Sequence, residues 1–238
     1  MPKRKYTSKR KPTTRKRRPR RKRRQLPLGG FPTKNIARLR YCEFVTLDQT
    51  AAASDEVLAH HFRANSCYDP NYSGGGHQPR GFDEQMAIYD HYTVLGSKIT
   101  VHFESDVDHI ATVGQYCFLM LQDTTSTPSN LIDIMEGGHN AKTGIKFRPR
   151  SSTTGKSLTL SQTFSAQKFF GLQKGSDLVA NLALTAGSGT NPVEDAVYTI
   201  GVCCQRETST NPAAIVCRVE IEYIVAFTEK RPVEISNV

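Results

Sequence analysis

Fifteen cations crowd the first 24 residues: Lys3, Arg4, Lys5, Lys9, Arg10, Lys11, Arg15, Lys16, Arg17, Arg18, Arg20, Arg21, Lys22, Arg23 and Arg24, with no Asp or Glu among them. Side chains of this kind neutralise phosphate, and a run this long and single-signed is an interaction tail whose natural partner is a polyphosphate. Pro2, Pro12 and Pro19 remove backbone donors while like charges repel. The segment is therefore expected to be disordered, forming neither helix nor strand until that partner arrives. Lys34, Arg38 and Arg40 carry positive charge on to the edge of the first predicted strand. Together with the fifteen, these three are the candidate nucleic-acid-binding residues.

The charge is segregated. The chain holds 32 Lys and Arg against 22 Asp and Glu, a formal +10. Setting aside the fifteen cations of the arm leaves 17 basic against 22 acidic residues, a body of −5. A globular nucleic-acid reader usually wears its charge as a patch on the fold. Here the gripping element and the folding element are separate pieces.

Other chemistries fail on spacing. No HExxH and no local Ser/His/Asp set is present, so no catalytic residue is assigned and the chain reads as a non-enzyme. Gly155-Lys156-Ser157 copies the end of a Walker motif, but Arg150 stands where its first glycine belongs, and the Gly74–Gly76 triple precedes His77 instead of Gly-Lys-Ser/Thr. Asp106-Val107-Asp108 lacks the remaining ligands of a calcium loop and reads as a solvated turn. Cys42, Cys117, Cys203, Cys204 and Cys217 lie in apolar strand-like runs and Cys67 in a turn-rich stretch, without a CxxC pair. Buried thiols acting as small hydrophobes are expected, with no metal and no cofactor. No run of 18 apolar residues exists, so no membrane partner is expected. The N-terminus lacks the apolar segment of a secretory signal, and Asn71 is accordingly expected to stay unglycosylated.

The elements that must position the cations follow in order. Residues 1–24 are the arm, and 25–37, with Pro27, Gly29, Gly30 and Pro32, read as a hinge. Residues 38–238 form the body, whose first strand spans 39–47 and second 56–65, with a loop at 50–54. A long surface loop is expected at 65–81, then a short helix over 82–89, with Phe82, Met86 and Tyr89 on one side. Leu95, Ile99, Val101 and Phe103 alternate with polar residues, and 114–121 is a nearly continuous apolar strand. Residues 123–140 read as loop, 142–148 and 156–164 as short strands, and Phe169-Phe170 as an aromatic knot in the core. After a connection at 172–195 come strands at 196–205 and 215–227. In the last, Ile215, Cys217, Val219, Ile221, Tyr223, Val225 and Phe227 share one face. Eight strands with long crossings and no Asn-Gly hairpins point to an all-β Greek-key sandwich, the eight-stranded jelly roll.

Gly81-Phe82-Asp83-Glu84-Gln85 through Tyr89, Tyr92 and Gly96-Ser97-Lys98-Ile99-Thr100-Val101 resembles capsid proteins of small circular single-stranded DNA viruses that encode a replication initiator. Phe62-Arg63-Ala64-Asn65 and the Gly75–Pro79 loop are similar to the same circovirus-like group, as is the order of basic arm, hinge and all-β body. The resemblance implies a jelly-roll coat protein that self-assembles into an icosahedral T=1 shell of 60 copies. It further implies an arm on a single-stranded DNA genome that doubles as a nuclear localisation signal, hence the virion and the host nucleus as locations and the nuclear import machinery as a partner. One departure is that arms in that group are arginine-dominated with interleaved aromatics. This arm mixes in lysine and holds only Tyr6, which favours plain phosphate neutralisation over base stacking. The coat of a small RNA or satellite virus, or a shuttle protein that forms no shell, are the alternative readings.

Overall fold

The most regular alternation in the sequence becomes the central strand of the larger sheet. In a computed structural model, β9 (Ile215–Lys230) turns Ile215, Cys217, Val219, Ile221, Tyr223, Val225 and Phe227 into the core, as their spacing predicts. The structure describes residues 31–48, 57–105, 115–137, 141–146, 158–204 and 214–232. The arm, most of the predicted hinge, the loop at 50–54, the turn at 106–108 and Gly155-Lys156-Ser157 lie outside them.

Along its whole length β1 (Lys34–Leu47) pairs antiparallel with β9, from Lys34↔Thr228 to Leu47↔Ile215. On the other side of β9 lies β3 (Tyr89–Ser105), itself long enough to hold β6 (Leu158–Ser165) along Gly96–Phe103 and the three-residue β7 (Thr185–Gly187) along His91–Thr93. The second sheet runs β2 (Val57–Arg63), β8 (Val197–Cys204), β4 (Gln115–Gln122) and β5 (Ala141–Lys146), again antiparallel. Without β7 the two orders, β1-β9-β3-β6 and β2-β8-β4-β5, run in step. β1 corresponds to β2, β9 to β8, β3 to β4 and β6 to β5, and the chain changes sheet within each pair. This is the jelly roll.

Five tyrosines, Tyr41, Tyr89, Tyr92, Tyr198 and Tyr223, are fully buried between the sheets. A buried hydroxyl without a partner costs about 1–3 kcal/mol, so each must find one. Tyr223 donates to the Arg63 carbonyl at 2.7 Å, Tyr198 to that of Ser97 at 3.1 Å, Tyr92 to that of Thr190 at 2.9 Å and Tyr89 to that of Pro32 at 2.9 Å. Tyr41 donates to the Glu43 carboxylate. Beside them, Phe164, Phe169 and Phe170 meet edge to face around the short helix α3 (Ala166–Phe169), the knot expected from sequence.

Several elements depart from the sequence expectation. β1 starts at Lys34, not at 39, because Ala37 and Leu39 face in while Lys34, Ile36 and Arg38 face out, which extends the ladder over residues read as hinge. Helix α1 (Phe82–Met86) stops short of 89, since Tyr89 opens β3 opposite Lys230. The stretch at 123–140 contains helix α2 (Leu131–Glu136), capped by the Asn130 side chain accepting from the Asp133 N–H at 2.9 Å. Within the loop at 65–81, Asn65, Ser66, Cys67 and Asn71 are buried, not on the surface. Cys42 faces outward on β1 and is exposed, whereas Cys67, Cys117, Cys203 and Cys217 are buried. Among the described residues no helix is long and apolar enough to cross a membrane.

Candidate nucleic-acid interface

A strand gives every second residue to one face, and Lys34, Arg38 and Arg40 are all even-numbered. The structure therefore brings these three predicted residues onto the outward face of β1, and the other fifteen lie outside the described residues. Ile36 (58% exposed) and Phe44 (69% exposed) share that face.

Pairing extends the face across three strands. One cross-strand row reads Arg40, Glu222, Lys98 and Thr163; the next Cys42, Glu220, Thr100 and Ser161; the next Phe44, Arg218, His102 and Thr159. Glu220 is shared: it accepts a short hydrogen bond from Arg40 and lies 3.9 Å from Arg218 Nε. Arg40 keeps its guanidinium fully charged, held so first by that hydrogen bond and then by the Glu220 charge. His102 Nδ1 and Thr159 Oγ1 are 2.9 Å apart. Lys34, Arg38 and Lys98 have no ion-pair or hydrogen-bond partner among the described residues, so their charge is available to a ligand.

A cavity of about 290 Å³ opens on this face where β3 is irregular. The register shifts between Val94 and Gly96, leaving Leu95 as the extra residue of a bulge. Gly96 then stands opposite Ile224 and presents no side chain, while a Cβ there would meet the Phe164 carbonyl oxygen at 2.9 Å. Arg38, Lys98, Glu222, Thr163 and Ile224 surround the gap. Sequence reasoning passed over Lys98 and Glu222, because nothing in a linear pattern places them beside Arg38.

The loop at 65–81 is fastened by side chains, and a cavity of about 670 Å³ lies against it, lined among others by Asp69, His77, Arg80, Asp83 and Glu84. Arg63 stacks over the Tyr72 ring at 3.9 Å and pairs with Asp69 at 2.8 Å, while its Nη1 also donates to the Asp69 carbonyl at 3.0 Å. Tyr72 donates to Asp195 at 3.1 Å. Asn65 bridges the Glu194 carbonyl and the Ala196 N–H, and His77 stacks on Tyr41 with ring centres 4.7 Å apart. The Phe62–Asn65 and Gly75–Pro79 stretches thus work as staples of the fold. His60 and His61, successive on β2, point apart, to Asn71 at 2.9 Å and Thr199 at 3.0 Å. Among the described residues no group of three or more His, Cys, Asp or Glu is placed to hold a metal ion.

No protein-family model matches the sequence, and no curated protein matches it. Among solved structures the chain is similar to that of tobacco necrosis virus, at 7% identity over 85% of each chain with a TM-score of 0.46. The decameric BFDV capsid protein aligns at 9% identity over 82% of this chain and 99% of that one, with a TM-score of 0.43. Desmodium yellow mottle tymovirus aligns at 12% identity over 91% and 99%, with a TM-score of 0.40. These neighbours are viral capsid proteins. The fold assignment itself rests on this chain's own sheet order.

Proposed function

We propose that this chain is the coat protein of a small circular single-stranded DNA virus, tiling with copies of itself into a shell and packaging the genome through its arm. The observation that carries the reading is the segregation of charge: fifteen cations on residues 1–24, ahead of an acidic jelly-roll body. A body of −5 has little tendency to bind DNA indiscriminately, so contact is directed to the arm and to the cations on the outward face of β1 and β3. Exposed apolar side chains, Ile132 and Met135 on α2 and Leu182 and Val193 in the loop around β7, supply surface for contacts between copies.

In a T=1 shell the arms total about 900 positive charges, and partial neutralisation then sets a genome on the order of one to two thousand nucleotides. An arm of 24 residues reaches roughly 80 Å when extended, enough to enter a small shell. The same Lys/Arg clusters serve as a nuclear localisation signal.

Electron microscopy of the purified full chain tests the reading directly. Closed particles whose nucleic acid yields to DNase and not RNase support it. Particles holding only RNA assign the chain to an RNA or satellite virus coat, and soluble monomers under all conditions sink the shell. A fluorescent protein carrying residues 1–24 is expected to collect in the nucleus; an even cellular distribution removes the import role.

A further inference from the structure

We propose that the cavity at the β3 bulge seats one nucleotide of a single-stranded nucleic acid. Its phosphate lies toward Arg38 and Lys98, its base against Ile224, and the amino edge of the base toward Glu222. The seat goes beyond the arm's phosphate neutralisation by reading a base, and it rests on nucleic acid being the cargo.

Three observations converge on a nucleotide. The space, about 290 Å³, is large enough for one base with its sugar, and the bulge with its bare Gly96 is what opens it. Among the described residues Arg38 and Lys98 flank it without a partner, so a phosphate meets unspent charge there, whereas Arg40 and Arg218 one row and three rows away lie against Glu220. The wall is amphipathic as a nucleotide is. Ile224, 39% exposed, offers an apolar surface to a base, Thr163 a hydroxyl and Glu222 a carboxylate. A carboxylate repels phosphate but accepts hydrogen bonds from base amino groups, as acidic side chains do from cytosine N4. A bare inorganic anion would find Glu222 unfavourable, which is why the fit is to a nucleotide.

The test compares binding of short oligo(dC) and oligo(dT) to the full chain at neutral pH. Cytosine offers an amino group to Glu222 and thymine does not, so oligo(dC) is expected to bind about fivefold more tightly, the low end for one base-edge contact. Glu222→Gln, whose amide serves thymine O4 as well, should narrow the preference toward unity. The pair Arg38→Ala and Lys98→Ala should weaken binding and erase the preference. The pair Arg21→Ala and Arg23→Ala, taken from the arm, should weaken both oligonucleotides equally and keep it. Glu222→Gln and the Arg38/Lys98 pair are expected to leave the melting temperature unchanged, which separates loss of a contact from loss of the fold. Equal affinity of the wild type for the two oligonucleotides, or surface variants that behave like the arm pair, overturns the seat and leaves the packaging arm standing. Failure to bind either oligonucleotide removes the cargo reading itself, and the seat with it.

Discussion

Tyr223 shows how much a single side chain holds in this sandwich. Its hydroxyl reaches from β9 to the Arg63 carbonyl at the end of β2, tying one sheet to the other and to the residue that fastens the 65–81 loop. Tyr223→Phe leaves that carbonyl without its partner and is expected to cost about 1–2 kcal/mol in chemical denaturation, with the fold retained. Burial pushes the phenols of Tyr92, Tyr198 and Tyr223 well above their usual range. A raised value means the folded protein holds the proton more tightly than the unfolded chain. The stabilisation is therefore complete below the ordinary phenol range, and it is lost as pH rises from about 10 upward. Melting temperatures taken across that window should fall steeply, and a flat profile would contradict the buried phenols. Of the five described thiols, Cys42 alone is exposed and should react quickly with a thiol reagent; Cys67, Cys117, Cys203 and Cys217 should wait for unfolding. Burial also pushes the thiols of Cys67 and Cys217 up, which slows them further.

At the scale of elements, two glycines are places where strands come too close for a side chain. A Cβ on Gly201 in β8 would stand 2.5 Å from the Leu58 carbonyl oxygen, and one on Gly96 in β3 would stand 2.9 Å from that of Phe164. Backbone cannot give way as a flexible side chain does. Gly201→Ala and Gly96→Ala are each expected to destabilise the body by about 1–3 kcal/mol, with Gly201 the worse, as read from denaturation midpoints. Strands of strict period two were legible in sequence: β9 and the Ile99–Phe103 part of β3 bury every second residue. The first five residues of β1 were not, because their inward positions are Asn35 and Ala37, which carry little apolar signal. Helix α2 buries only Ile134 and exposes Ile132 and Met135, so no helical stripe marks it; Asn130 followed by Asp133 was the one readable sign. The cationic face was half legible. Lys34, Arg38 and Arg40 followed from charge near a strand, while Lys98, Glu222 and the bulge required knowing that β9 lies between β1 and β3.

For the whole molecule, the proposed function makes binding to nucleic acid a salt-dependent sum of weak contacts, because the charge is segregated. Affinity of the full chain for single-stranded DNA should fall steeply as salt rises, with a slope of about 0.7 per phosphate engaged, and each arm cation removed should reduce that slope by a similar step. Deleting residues 1–24 should abolish encapsidated DNA and leave a folded body; equal packaging by the truncated protein would refute the division of labour.

The position of β9 has a consequence for how the chain comes into being. It is the last of the described strands to be synthesised, yet it stands between β1 and β3, and its pairing sets Thr228 opposite Lys34. On the ribosome β1 must wait for its β9 partner until residues 215–230 have emerged. Maturation of the sandwich is then a post-translational event, slowed by the long loop that must close.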